Sequence, residues 1–206
     1  MQNQKAFTYT LKKEDERKKL EHILLGRFHF SRKVLQKLKQ GENVRLDGNF
    51  VYLNTTGKEG QLLSVDFQEE EDSAVQGENI PIEVLYEDTL FLAVNKPPGQ
   101  VVHPNGRYTT GTLANAVVGY WAKKGEHRPF RPISRIDRNT SGIVLIAKNR
   151  YAHQQIAYLS AKNRVSKKYL GVVQGRFPLD SGEFFFPIRL KKESKIMREI
   201  HESGQP

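Results

Sequence analysis

The 206-residue sequence contains no cysteine, which excludes disulfides and thiol nucleophiles and is neutral about compartment. Long hydrophobic runs are missing too. The longest, Leu90–Val94 and Ile143–Ala147, fall far short of the roughly 18 to 20 residues that span a bilayer. Met1-Gln2-Asn3-Gln4-Lys5 leads into no apolar segment, so no secretory signal is read and the cytoplasm is the expected compartment. In that setting the Asn-x-Ser/Thr matches at Asn54 and Asn139 carry no meaning for glycosylation. Acidic residues are scarce: 23 Asp and Glu face 33 Lys and Arg, a net charge of +10. Such an imbalance points to a polyanionic partner. Nucleic acid fits better than a membrane, because no long basic amphipathic helix with a rich apolar face is present. The six histidines, at 22, 29, 103, 127, 153 and 201, show no metal-ligand spacing. No metal or cofactor is expected, and the chain is read as a monomer.

What is present begins with a compact N-terminal pattern. Leu20, Ile23, Leu24 and Phe28 recur at helical spacing after a charged lead-in. Ser31 suits the N-cap of a second helix carrying Val34, Leu35 and Leu38 as its apolar stripe. Arg32, Lys33, Lys37 and Lys39 decorate its other faces. Val44 and Leu46 alternate before Asp47-Gly48-Asn49, and Phe50–Leu53 completes a hairpin, with a further strand at Leu62–Phe67. This order resembles the S4 RNA-binding module, on the strength of Ser31-Arg32 and of Gly41-Glu42-Asn43-Val44-Arg45-Leu46-Asp47-Gly48. The resemblance implies a basic helix face lying along RNA phosphates. A generic solvated basic surface is the alternative reading. The acidic stretch 69–79 reads as a linker.

From Ile80 the pattern changes. Strands are expected at Glu83–Tyr86 and Phe91–Val94, and a helix over Thr112–Lys124. A buried strand at Ile143–Ala147, a helix near Arg150–Lys162 and a strand at Tyr169–Val173 follow. Three segments carry chemistry. Asn95-Lys96-Pro97-Pro98-Gly99 forms a rigid turn with Lys96 at its mouth; a phosphate contact and a purely structural turn are both open there. In Ser134-Arg135-Ile136-Asp137-Arg138-Asn139-Thr140-Ser141-Gly142 one carboxylate lies between two arginines. Nearby positive charge favours its ionised form, which suits a nucleophile or base, although a surface ion pair has the same composition. Lys167-Lys168-Tyr169 opens an apolar stretch, where a tyrosine serves packing as readily as chemistry.

Together these segments resemble the RNA pseudouridine synthases typified by ribosomal large-subunit and tRNA modification. That family's His-Arg-Leu-Asp-x-x-Thr-Ser-Gly signature reads here from Ser134 to Gly142. Its Asn-Lys-Pro-x-Gly-x-x-Val-His-Pro element runs from Asn95 to Pro104, and its Lys-x-Tyr strand from Lys167 to Tyr169. The resemblance implies isomerisation of a flipped-out uridine in structured RNA, with large-subunit ribosomal RNA first in line and tRNA second. Asp137 would be the catalytic carboxylate, Tyr169 would lie against the uracil, and Arg135 would contact RNA or fill the vacated space. Lys96 and Arg138 would join Arg32, Lys33, Lys37 and Lys39 in binding RNA.

Two departures stand out. Ser134 replaces the usual His. Family members also continue beyond a Gly-(Lys/Gln)-Pro element, Gly204-Gln205-Pro206 here, to a Thr-Gly-Arg motif whose Arg pairs with the catalytic Asp. A C-terminally truncated chain with an incomplete sheet is therefore expected. The expected architecture is α+β: an S4-like αα-β module over 1–68, the linker, and a largely antiparallel catalytic domain over 80–206. A non-catalytic RNA-binding protein and a nucleoside hydrolase are the rival readings; the basic charge disfavours the small substrate of the latter.

Overall fold

The computed structural model describes residues 7–67, 75–176, 180–194 and 197–204. It divides into two compact units, Met1–Ser166 and Lys167–Pro206. Both are built from antiparallel pairs, and the first also carries all four α-helices found among the described residues.

The first sheet of the larger unit joins β1 (Phe7–Thr10), β4 (Leu62–Val65), β2 (Val44–Leu46) and β3 (Asn49–Phe50) in that spatial order. Helices α1 (Leu20–Gly26) and α2 (Arg32–Leu38) bury Leu20, Leu24, Leu35 and Leu38 against Leu63 and Val65. Ser31 caps α2 as its sequence suggested, accepting the Val34 N–H at 3.2 Å. Asp47 and Gly48 both take positive φ, 50° and 85°, as a two-residue hairpin turn requires. Strand β1 is an addition to the sequence expectation. Phe7-Thr8-Tyr9-Thr10 alternates at period two, and Phe7 faces Val65 across the ladder. The buried Asp15 holds this edge by accepting from Tyr9 Oη at 2.7 Å, the Lys12 N–H at 3.0 Å and Arg27 Nη2 at 3.1 Å. Burial and the Asp15 contact push the Tyr9 phenol up to about 12.

The second sheet runs β5 (Glu83–Glu87), β6 (Phe91–Lys96), β8 (Gly142–Ala147), β7 (Arg131–Pro132). Helix α3 (Leu113–Lys123) covers one face, packing Leu113, Val117 and Trp121 on Leu92, Val94, Val144 and Ile146. Thr112 and Asn115 form its capping box. Of the acidic segment 69–79, residues 69–74 lie outside the described residues. The remainder is docked on α3 rather than acting as a spacer. Glu78 accepts the Gly111 N–H with both carboxylate oxygens, at 3.0 and 3.2 Å, and its backbone N–H donates to Asn115 O at 2.9 Å. The approach needs glycine: a Cβ on Gly119 would stand 2.0 Å from Glu78 O.

Helix α4 (Arg150–Ala161) follows β8 and packs onto the first cluster. Its Tyr151 ring sits 4.7 Å from Phe30 and 5.7 Å from Phe67. Gln154 Oε1 accepts the Ser31 N–H at 2.9 Å, and its amide nitrogen donates to His29 O. Gln155 donates to Phe28 O at 2.8 Å, and Tyr158 stacks on His29 at 4.4 Å. One face of α4 thus grips the loop between α1 and α2.

The smaller unit contains the hairpin β9 (Ile188–Leu190) and β10 (Arg198–Ile200), joined across by Arg189 and Glu199 at 2.9 Å. The strand expected at Tyr169–Val173 does not form: those residues are outside any helix or strand, and Leu170 and Val172 are fully exposed. Strand propensity reports fit to a paired surface, and no ladder partner is supplied here among the described residues.

At one end of the second sheet, Glu87 accepts from Lys148 at 2.8 Å, Lys124 at 2.8 Å and Tyr120 at 2.7 Å. Burial alone would raise its carboxyl, but these hydrogen bonds bring it down to about 2. A depressed carboxylate adds stability that is complete above its ordinary pKa and disappears as pH falls towards the folded value. Wild type is therefore expected to exceed Glu87→Gln by up to roughly 3 kcal/mol at neutral pH. In urea unfolding, that gap should narrow between pH 4.5 and about 2. Separately, Gly119→Ala is expected to lower the melting temperature by about 5 °C or more, measured by calorimetry.

Candidate active site

The candidate site grows from one rung of the second sheet. Lys96, last residue of β6, pairs with Gly142, first residue of β8. The turn leaving β6 and the loop entering β8 therefore start side by side. Gly99 adopts φ +84° and Gly142 φ +127°, backbone conformations that favour glycine. Both glycines stand in the sequence elements that drew attention to these loops.

Three interactions lock the loops together. The Gly99 N–H donates to Arg138 O at 2.8 Å, and Arg138 Nε donates back to Gly99 O at 2.9 Å. Lys96 Nζ then donates to Pro97 O at 2.8 Å, Gln100 O at 2.8 Å and Arg138 O at 3.1 Å. Its side chain is fully buried, so all three ammonium protons are committed within the protein. Lys96, expected to meet RNA phosphate, has no exposed surface here. Burial pushes its pKa below the usual lysine value, and the charge of Asp137 opposes that shift.

Asp137 lies in the loop segment Ser134–Asp137, outside any helix or strand. Ile136 packs on the apolar cluster under α3, while Arg135 and Asp137 are exposed on either side of it. Thr140 N–H closes the following turn on Asp137 O at 3.2 Å. The two flanking arginines do not bridge to Asp137: among the described residues its carboxylate makes no ion pair. The charge of Asp137 is instead felt by the Lys96 ammonium.

Arg138 is drawn away to Gly99 and to Tyr108, whose hydroxyl accepts from Nη1 at 3.1 Å and whose ring lies 5.2 Å from the guanidinium carbon. Arg138, expected to bind RNA, thus braces the loop while remaining exposed. Tyr108 was not singled out in the sequence. The Asn105-Gly106-Arg107-Tyr108 turn, with paired bonds between Asn105 and Tyr108 of 3.0 and 2.8 Å, was the available signal.

The same end of the sheet opens on a cavity of about 500 Å³ lined by Ile82, Glu83, Asn95, Pro97, Gln100 and Leu113. On α2, Arg32 and Lys33 are exposed and Lys37 is half-buried. Lys39 is tied to Glu21 at 3.0 Å. Tyr169 belongs to the smaller unit and is exposed. Among the described residues no group of three His, Asp or Glu is arranged to hold a metal ion, and no helix is long and apolar enough to cross a membrane.

Lys96→Met leaves three carbonyls without their donor at nearly unchanged side-chain length. The expected loss is about 3 kcal/mol in urea unfolding, with faster hydrogen exchange at the Gly99 amide.

Residues 90–206 match the family model described as RNA pseudouridylate synthase. Uncharacterized RNA pseudouridine synthase YjbO of Bacillus subtilis is 32% identical over 182 residues, which is 87% of this chain and 64% of that protein. An uncharacterized RNA pseudouridine synthase of Aquifex aeolicus is 35% identical over 184 residues, 86% of this chain and 58% of that one. Ribosomal large subunit pseudouridine synthase D of Buchnera aphidicola subsp. Schizaphis graminum is 30% identical over 192 residues, 91% of this chain and 60% of that one. The chain thus spans about three fifths of the length of these relatives. The loops braced by Lys96 lie inside the matched segment, and with that match extending over more than half of its residues the chain belongs to the RNA pseudouridylate synthase family.

Proposed function

We propose that the protein isomerises specific uridines to pseudouridine in structured RNA, with Asp137 as the catalytic carboxylate. The observation that carries this reading is the exposed Asp137 on a loop whose next residue is held by Lys96 and Gly99. A reacting group needs a rigid support and an open approach, and this loop supplies both. In the reaction the bond from C1′ to N1 of uracil breaks, the base turns, C1′ bonds to C5, the C5 proton departs to solvent, and N1 takes up a proton. The nucleotide must first leave its stack, at a cost of a few kcal/mol. Asp137 acts as nucleophile or base in starting this sequence. Arg135, exposed beside it, contacts the RNA or fills the space left by the base, and Tyr169 lies against the uracil.

Large-subunit ribosomal RNA is the proposed substrate, supported by relatives named ribosomal large subunit pseudouridine synthase D. The proposed division is an S4-like RNA-binding module over 1–68 and a catalytic domain over 80–206. Support for the module comes from the capped α2, its exposed Arg32 and Lys33, and the Asp47-Gly48 hairpin.

The test is tritium release from RNA transcribed with uridine labelled at C5. Wild-type chain is expected to release label, and Asp137→Asn to release it at least about 100-fold more slowly. Equal release by both proteins would remove Asp137 from the chemistry.

A further inference from the structure

Between Asn95 and Gly142 the only acidic residues are Glu126 and Asp137. Glu126 accepts from Arg128 Nε at 2.9 Å, whereas the Asp137 carboxylate makes no ion pair among the described residues. Arg138, its neighbour in the chain, is exposed. An exposed cation beside an exposed carboxylate is free to pair with it unless another contact is as favourable. Here that contact is Tyr108: its hydroxyl accepts from Arg138 Nη1 at 3.1 Å, and its ring lies 5.2 Å from the guanidinium carbon. We propose that Tyr108 is a positioning residue, which by holding Arg138 keeps the carboxylate of Asp137 unpaired and open to the flipped nucleotide. The role rests on the reading of Asp137 as the catalytic carboxylate.

The competing contacts are close in strength. A guanidinium over an aromatic face at an exposed site is worth about as much as an exposed ion pair. The hydrogen bond to Tyr108 Oη adds to the first, so this one side chain decides where the guanidinium lies. Tyr108 is itself anchored. It ends the Asn105–Tyr108 turn, closed by paired backbone bonds of 3.0 and 2.8 Å, and is 38% exposed. Arg138 is held at a second point, since Nε donates to Gly99 O at 2.9 Å and its carbonyl accepts the Gly99 N–H at 2.8 Å. Side chain and backbone are thus both tied to the loop that leads to Tyr108. The other cations on the neighbouring segments are Lys96 at the end of β6, Arg107 beside Tyr108, and Arg135 two residues before Asp137. Lys96 is committed to three carbonyls, and Arg107 and Arg135 are exposed and make no bridge among the described residues. All three stay in place in the variants below.

Two readouts on the full chain separate this role from a merely structural one. In Tyr108→Leu the Asp137 carboxyl, followed by carbon-13 NMR, is expected to titrate about half a pH unit lower than in wild type, because the released arginine favours the ionised form. Tritium release from C5-labelled RNA should slow about threefold to fivefold, with RNA affinity changed less than about twofold. The fold should persist, melting within about 2 °C of wild type. Adding Arg138→Gln to Tyr108→Leu removes the released charge and keeps an N–H for Gly99 O. The double variant should return the titration towards wild type and release label faster than Tyr108→Leu alone. An Asp137 titration that Tyr108→Leu leaves in place, or a slowed release that Arg138→Gln does not relieve, would overturn the role of Tyr108. A titration that moves as expected in a protein whose wild type releases no label would instead uphold the hold of Tyr108 on Arg138 and overturn the reading of the protein as a uridine isomerase.

Discussion

The buried ammonium of Lys96 is the interaction on which the candidate site depends. An unpaired charge in an apolar interior is expensive, and here three backbone carbonyls from two loops offset that cost. Because the partners are carbonyls, the lysine keeps its charge uncancelled by any direct carboxylate contact. The charge of Asp137 acts on that ammonium through space. The ladder adds the second constraint: Lys96 shares a rung with Gly142, so both loops hang from the same point of the sheet. Arg138 completes the brace by exchanging hydrogen bonds with Gly99 and lying over Tyr108.

The other end of the same strand pair, about 17 Å away along the strands, carries a different electrostatic knot. There the carboxylate of Glu87 gathers Lys148, Lys124 and Tyr120. Between the two knots the sheet packs its apolar face on α3. The polar chemistry therefore sits at the strand ends, where the backbone leaves the ladder and glycine can turn it. Helix α4 extends this frame to the N-terminal cluster by capturing the loop that precedes α2.

Much of this was legible in the sequence where a local pattern decides the outcome. The α2 cap at Ser31, the Asp47-Gly48 turn, helix α3 and the β6 and β8 strands follow from spacing and turn chemistry. Asp137 was legible because a charged residue three positions before Thr-Ser-Gly and an apolar strand is a loop residue by pattern. The role of Lys96 was not, since a lysine after an apolar strand gives no sign that three carbonyls will converge on it. Arg135 and Arg138 read as partners of Asp137, yet neither bridges to it, and Arg138 turns instead to Gly99 and Tyr108. The docking of Glu78 on α3 and of Gln154 on Ser31 are contacts between residues far apart in the chain, which periodicity cannot register. Tyr169–Val173 failed for the opposite reason: its composition favours a strand, but a strand exists only with a partner.

The functional reading joins a family assignment with a loop whose rigidity and exposure suit one carboxylate for attack on a flipped nucleotide. Composition agrees with it, since a chain this basic is suited to a polyanion. The measurement closest to the central claim is mapping of pseudouridine in unmodified large-subunit ribosomal RNA after incubation with the chain, by carbodiimide labelling and primer extension. The account predicts new stops at a small number of discrete uridines. RNA that is bound by the chain and yet shows no new stop would contradict it.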